Sequence, residues 1–336
     1  MSQALSSAFS SPSNRHRVWF HDQLADPADE QSLLEALTIG LTDSPRWISP
    51  KHFYDHRGSE LFDQICRQPE YYPTRTEEAI LERSVAAIAD CVGRDIDLIE
   101  LGSGASHKIR LLLDALRPHH YLGVDISRDF LLESTQRLAN DYPWLSVHAL
   151  CADFTAPFSL PELEGDAHHP VVFFPGSSIG NFTPQEAMAL LARIHDQLPP
   201  GGGLLIGVDR IKDRDRLEAA YNDAAGVTRE FNLNLIHRLR DELGAEVSPS
   251  DFEHLAFYNE AASRIEMHLV SQRDQTFSLD GQTIALTAGE HIHTENSWKY
   301  SREGFERLAG HAGFQAREHW CDDQGLFDVH YFERSA

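Results

Sequence analysis

Hydrophobic and polar positions change period along the chain, and each change marks an element. Residues 95–101 (DIDLIEL) are nearly continuous in apolar side chains and read as a buried strand, which Gly102-Ser103-Gly104 breaks. Ser106 then precedes a helix whose apolar residues Ile109, Leu112, Leu113 and Leu116 have the spacing of one face. Residues 121–126 (YLGVDI) form a second strand ending at Asp125. Residues 130–138 are helical, and residues 145–150 make a third strand, followed by Asp153 and Phe154. A fourth strand, 171–174, runs into Pro175-Gly176-Ser177-Ser178. Residues 184–198 are helical, and 199–203 (PPGGG) turn into a fifth strand at 204–208. Strand and helix alternate as in a doubly wound α/β fold with a parallel sheet.

Residues 211–300 interrupt that alternation. They hold helical segments at 213–224 and 229–243, then a run with Ile265, Met267 and Leu269 on one face. Short antiparallel strands follow at 276–279, 283–286 and 291–294. An insertion of about 90 residues is too long for a loop, so it predicts a second, smaller α+β domain. A helix at 302–313 and two alternating segments, 315–321 and 327–333, close the chain, with Asp322, Asp323, Gln324 and Gly325 as the hairpin turn. A parallel sheet closed by an antiparallel hairpin resembles the Rossmann-like methyltransferases and not a nicotinamide-binding domain. The expected division assigns 73–210 and 301–336 to a cofactor-binding domain and 15–72 and 211–300 to a substrate domain. Residues 1–14 are expected to be a disordered tail.

The strand ends carry candidate chemistry. Gly102 and Gly104 allow a tight turn and close approach of a ligand at the carboxyl end of the first strand. The third glycine of the dinucleotide motif is missing. Asp125 follows Gly104 by 21 residues, a distance suited to a carboxylate that accepts from ribose hydroxyls. Asp153 is placed to meet an adenine amino group, with Phe154 packing on the ring. Taken singly, these residues are equally a turn, a cap and a core aromatic. In order, each at a strand terminus, they point to a nucleoside-bearing cofactor.

Composition narrows the partners. A net charge of -23 repels phosphate backbones and anionic membrane surfaces, so nucleic acid and membrane are not expected partners. No stretch approaches the roughly 20 apolar residues of a membrane span. Cys66, Cys91, Cys151 and Cys321 are scattered, with no CxxC pair, which fits a reducing cytoplasm. The pairs His119-His120 and His168-His169 lack helical ligand spacing, and His291 with His293 has no evident third ligand, so no metal site is expected.

Longer motifs are more specific. His52-Phe-Tyr-Asp55, Gly58-Ser-Glu-Leu-Phe-Asp-Gln-Ile65 and Pro69-Glu-Tyr-Tyr-Pro-Thr-Arg-Thr-Glu77 stand near the N-terminus. Glu100 to Ser106, Gly176-Ser-Ser-Ile-Gly-Asn-Phe-Thr-Pro184 and Tyr221-Asn-Asp-Ala-Ala-Gly-Val-Thr228 come after them in order. From about Pro50 onward the chain resembles the histidine Nα-methyltransferases of ergothioneine biosynthesis. The resemblance implies S-adenosylmethionine as cofactor, L-histidine as substrate and hercynine, the trimethylated betaine, as product. It implies that Gly102, Ser103, Gly104, Lys108, Asp125, Asp153 and Phe154 hold the cofactor. Asn181 and Tyr221 match residues that hold the substrate carboxylate and orient the amine. Gly176 matches a backbone contact near the amine, and Tyr71 and Tyr54 match pocket tyrosines. Glu295 and Ser297 match a pair that hydrogen-bonds the imidazole. On a strand, positions i and i+2 share a side, so both can reach one ring.

The implied reaction is displacement by a neutral amine, with Asn181, Tyr221 and Tyr54 nearest the chemistry and no strong base in view. A monomeric cytoplasmic enzyme is expected. Rival readings are N-methylation of another amino acid or a tryptophan-derived amine, a nicotinamide-dependent oxidoreductase, and a non-catalytic cofactor-binding protein.

Overall fold

The structure, a computed structural model, describes residues 18–24, 30–104, 107–163 and 169–335. The expected tail at 1–14, Ser106 and His168 lie outside the described residues. Regular structure opens with strand β1 (Val18–Asp22) and helices α1 (Glu30–Thr42), α2 (His56–Ile65) and α3 (Tyr72–Val92). The α/β alternation continues as β2 (Ile96–Leu101), α4 (Ile109–Leu116), β3 (His120–Asp125), α5 (Arg128–Asp141), β4 (Ser146–Cys151), β5 (His169–Phe174), α6 (Pro184–Gln197) and β6 (Gly203–Asp209). Next come α7 (Arg214–Ala220), α8 (Val227–Asp241), β7 (Phe252–Asn259), β8 (Arg264–Ser271), β9 (Gln275–Leu279), β10 (Gln282–Leu286) and β11 (His291–Trp298). Helix α9 (Arg302–His311) and strands β12 (Phe314–Cys321) and β13 (Phe327–Arg334) complete the chain.

Eight strands form the main sheet in the order β1-β4-β3-β2-β5-β6-β13-β12. All pairings are parallel from β1 to β6, and β13 and β12 add antiparallel. The apolar runs are continuous because both faces are covered. Leu98, Phe173 and Leu205 pack under α3 and α4 with Ile80 and Leu112. Their neighbours Ile99, Phe174 and Ile206 pack under α6 and α9 with Leu190 and Phe305. This is a Rossmann-like sheet with the expected closing hairpin.

Strand β1 departs from expectation. Val18–Asp22, grouped on sequence with the smaller domain, pairs with β4 in register Val18↔Val147 and edges the main sheet. Five partly exposed residues (VWFHD) show no clean alternation, so pattern alone does not reveal them. The helix expected at 213–224 ends early, at Ala220, and the one expected at 229–243 starts earlier, at Val227. The Asp223 carboxylate accepts from the N–H groups of Val227 and Thr228, both at 2.8 Å, and so starts α8, while Gly226 at φ +72° makes the bend.

The remaining elements share a third core. Helices α1, α2, α7 and α8 pack on the antiparallel sheet β11-β8-β7 and on the β9-β10 hairpin through residues such as Leu37, Leu217, Phe231, Ile265 and Ile284. Phe231 stacks on Phe53 with ring centroids 4.4 Å apart, which ties α8 to the segment before α2. Among the described residues, no helix is long and apolar enough to cross a membrane.

Candidate active site

A cavity of about 650 Å³ opens at the carboxyl ends of β2 to β5 and extends to β11, roofed by residues 47–51 and by α2. Parallel strands deliver their end groups to one edge, so the site arises from topology. Gly102, Ser103, Gly104, Lys108, Asp125, Asp153, Phe154, Gly176, Asn181, Tyr54, Tyr71 and Glu295 all line it. Tyr221 and Ser297 do not; they stand behind its wall.

At the sheet edge the glycine turn lies in the left-handed region, with φ +67° at Gly102 and +47° at Gly104. A side chain at Gly102 would meet only the Phe154 ring edge, at 3.9 Å, so the turn faces open cavity. The Gly104 N–H donates to Asp125 at 3.0 Å and the Ser127 N–H at 2.9 Å. Burial raises the Asp125 carboxyl above its ordinary value despite these bonds. Two carboxylate oxygens keep free lone pairs after accepting one N–H each. An open glycine cradle beside an acceptor at a strand end fits a ribose-bearing cofactor.

Asp153 is more committed than expected. It accepts from the Thr155 N–H at 2.9 Å, the Thr155 hydroxyl and Lys51 Nζ at 3.0 Å. Burial would raise its carboxyl, but Thr155 and Lys51 hold it below its usual value. Phe154 sits edge-on to Phe174 at 5.7 Å, presenting an apolar flank to the cavity.

Between the two ends runs the turn after β5. Gly176 (φ +79°) and Ser177 (φ +58°) are both left-handed. The Gly176 N–H donates to the fully buried Glu77 at 2.8 Å, and Glu77 also pairs with Lys108 at 2.5 Å. Burial acts to lower the Lys108 value, but Glu77 outweighs it and keeps the ammonium charged. Glu77 therefore joins two candidate site residues from behind. Its sequence signal is an acidic residue inside a matched motif whose carboxylate takes the space a side chain at Gly207 would need. Asn181 ends the short 3-10 turn Ser178–Asn181. A Cβ at Gly180 would lie 2.8 Å from the Trp298 carbonyl, so only glycine lets this turn touch β11.

The far wall is β11. Its register slips between His293 and Glu295, leaving Thr294 as an extra residue. This bulge breaks the period and re-aims the rest of the strand: Thr294, Glu295 and Ser297 are all buried. The Thr294 hydroxyl donates to Asn232 at 2.8 Å, and both Thr294 and Glu295 line the cavity. Burial pushes the Glu295 carboxyl up to about 7 against the pull of Lys299. Tyr54 and Tyr71 form the aromatic side of this end, edge-on to Phe62 at 5.8 and 6.4 Å, and Tyr71 is edge-on to Tyr221 at 6.1 Å. Burial raises both phenols well above their ordinary value, so they hold their protons.

Behind Glu295 lies a buried polar network that pattern analysis did not anticipate. Lys299 Nζ contacts Asp209 at 2.8 Å, the Ser297 hydroxyl at 2.8 Å and the Tyr221 hydroxyl at 3.2 Å. Tyr221 donates to Ser297 at 2.8 Å. Asp209, fully buried, also takes Lys212 and the Tyr72 hydroxyl, the latter at 2.7 Å. Burial would raise the Asp209 carboxyl, but the two lysines hold it below its usual value. A lysine at i+2 from Ser297 and i+4 from Glu295, one residue past the end of β11, was the available signal.

Two groups of metal-ligating type occur among the described residues. His268 and Glu266 supply neighbours that sequence spacing did not show for His293, with ligand atoms within 4.8 Å; His319, Cys321 and Asp328 form the other group. Glu266 is already held by Arg264 and Asn259, and Arg210 lies 3.5 Å from Asp328.

A family profile described as histidine-specific methyltransferase, SAM-dependent, matches residues 33–334. The histidine N-alpha-methyltransferase of Mycolicibacterium smegmatis is 39% identical over 313 residues, 91% of this chain and 96% of that protein. The protein of the same name from Mycobacterium tuberculosis is 37% identical over 320 residues, 93% and 98% of the two chains. Ergothioneine biosynthesis protein 1 of Neurospora crassa is 32% identical over 286 residues, 83% of this chain and 32% of that protein.

Proposed function

We propose a function from one premise: the chain belongs to the family of histidine-specific, S-adenosylmethionine-dependent methyltransferases. It methylates the α-amino group of free L-histidine three times to give hercynine, a step of ergothioneine biosynthesis, as a monomer in the cytoplasm. The observation that carries this reading is one continuous cavity joining the Gly102–Gly104 turn to Glu295. Residues 73–210 and 301–336 form the cofactor half, and 15–72 with 211–300 the substrate half, apart from β1.

Gly102, Ser103, Gly104, Lys108, Asp125, Asp153 and Phe154 would hold S-adenosylmethionine, which when bound supplies an activated methyl group on a sulfonium. Asp125 has lone pairs to offer the ribose hydroxyls. Gly176 and Asn181, on the turn that crosses the cavity, hold the substrate amine and carboxylate, with Tyr221 completing that contact from behind. Glu295 accepts a ring N–H, and Tyr54 and Tyr71 wall the ring.

A peptide α-amine titrates near ~8, so much of the substrate arrives protonated and must lose that proton before each transfer. Tyr54 and Tyr71 hold their own protons and do not serve as anionic bases for that step. These residues contribute by holding the nitrogen on line, where orientation is worth several kcal/mol. The amine remains nucleophilic until its third methyl group removes the last lone pair, and methylation stops there.

The test is incubation with S-adenosylmethionine and a panel of free amino acids and aromatic amines, read by mass spectrometry. Histidine should gain three methyl groups. A histidine left unchanged while another amine is methylated would refute the assignment.

A further inference from the structure

The closing hairpin β12–β13 carries a cluster that the proposed reaction does not use. In an antiparallel ladder, residues i and i+2 share a face, and directly opposed residues have neighbouring Cβ atoms. His319 stands opposite His330, and Cys321 opposite Asp328. The four residues therefore occupy two successive rungs of one face. That face turns toward α9, where the Phe305 ring lies 5.5 Å from His330, while Trp320 packs on the opposite core with Val329 and Tyr331. The register shift between Ala316 and Glu318 sets this arrangement. Without its extra residue, Glu318 and Trp320 would take the places of His319 and Cys321. Strand pairing assembles the group, so ligand spacing along the sequence did not show it.

Three ligand atoms, an imidazole nitrogen of His319, Cys321 Sγ and a carboxylate oxygen of Asp328, lie within 4.8 Å of one another. His330 Nε2 is 3.9 Å from Asp328 Oδ2. Asp328 and His330 are each only 1% exposed. Yet among the described residues neither Asp328 Oδ1 nor His330 Nε2 has a hydrogen-bond partner. Buried polar atoms are seldom left so, and an unpaired carboxylate is the costliest case. Arg210 does not satisfy it, because its Nε stays 3.5 Å from Oδ2, long for a hydrogen bond. Arg302, at the start of α9, is committed to Glu306 at 2.9 Å. The frame is rigid. The Asp322 carboxylate accepts from the N–H groups of Gln324 at 2.8 Å, Leu326 at 2.6 Å and Phe327 at 2.9 Å, which fixes the turn between Cys321 and Asp328. His319 and Cys321 are partly exposed and give access from solvent.

We propose that His319, Cys321, Asp328 and His330 bind a divalent cation of the zinc(II) class, at a site separate from the active cavity, which none of the four lines. Imidazole and thiolate donors suit zinc(II), whereas magnesium and calcium take oxygen ligands. Ligand atoms around a tetrahedral zinc stand roughly 3.5 Å apart, so side-chain shifts of about 1 Å close the site. On binding, Cys321 releases its thiol proton to solvent and coordinates as the thiolate. Thiolate and carboxylate together balance the dication, so no net charge is added beside Arg210. Strand β12 is the edge of the main sheet and pairs only with β13. The ion cross-links it to that neighbour and pins the edge.

The experiment titrates the chelator-treated full-length protein with zinc(II) by calorimetry and with cobalt(II) by absorption, and measures the melting temperature with and without zinc(II). Wild type should bind one equivalent, show a thiolate-to-cobalt charge-transfer band and melt higher with zinc(II). Cys321→Ser and His319→Gln change partly exposed positions and should keep a cooperative melt without metal. Each should weaken zinc(II) affinity by at least about 100-fold, the upper range for losing even an outer-shell partner. Cys321→Ser should also lose the charge-transfer band, and the rise in melting temperature should vanish in both variants. If one variant does not fold, the other carries the test. A wild-type protein that binds no zinc(II), a cobalt(II) complex without the thiolate band, or undiminished affinity in either folded variant overturns the proposal.

Discussion

The two ends of the cavity are held by different kinds of interaction. At the cofactor end, short-range devices do the holding: two left-handed glycines, an aspartate that accepts from the next loop and from the glycine turn, and a threonine cap on α6. At the ring end, Glu295 stands on a bulged strand in front of two buried lysines, an aspartate and hydroxyl groups drawn from distant parts of the chain. The first arrangement is modular, and a change there should be felt locally. The second is cooperative, because each buried charge depends on the others.

The largest contrast should come from Asp209→Asn against Asp125→Asn. The first leaves Lys299 and Lys212 buried without their counter-charge, and a loss of about 3–5 kcal/mol is expected by thermal or urea denaturation. Asp125→Asn should leave the melting temperature nearly unchanged and weaken S-adenosylhomocysteine binding in calorimetry. Equal stability of the two variants would break the comparison.

Next in size is a pH effect at Glu295. Its folded-state value is raised to about 7, above that of an unfolded glutamate, so the folded state binds the extra proton. Stability is therefore greatest at low pH within this window and falls as pH rises from about 4.5 to 7. The loss approaches roughly 3 kcal/mol. Glu295→Gln removes this dependence, so ligand-free variant and wild type should diverge through that window, with the variant the more stable above pH 7. Glu100, raised to about 8 by burial, acts in the same direction but is common to both proteins and cancels. Parallel stability–pH curves would contradict the burial of Glu295.

Glu295→Ala should raise the histidine KM by about 10- to 100-fold while S-adenosylhomocysteine affinity stays put. The smallest effect is local. Thr183 and Glu186 form a capping box at the start of α6, and Thr183→Ala should lower stability by about 1 kcal/mol. A much larger loss would mean that the cofactor end is less modular than its contacts indicate.

The same contrast explains what could be read from the sequence. The strand ends and their glycine turn were legible because a strand buried on both faces, a break and a terminal carboxylate are all written within a few residues. Gly102, Gly104 and Asp125 could be placed that way, whereas Asn181 was singled out only by resemblance. Edge strand β1 could not, since five half-exposed residues carry no period. The bulge at Thr294 was also hidden, because register is set by the partner strand and not by local sequence. Lys299 and Asp209 are 90 residues apart, and nothing in either neighbourhood states that they meet. Ser297 and Tyr221 were singled out by resemblance, yet their engagement with each other and with Lys299 appears only in the fold.

One measurement addresses the orientation on which the proposed reaction depends: amine toward the glycine turn, ring toward β11. Histidine is converted with a methyl donor labelled in its transferred carbon, and the product is examined by heteronuclear NMR. The labelled methyl signal should correlate with the α-proton of histidine and not with the ring protons. A methyl group on a ring nitrogen would place the ring at the cofactor end and contradict that orientation.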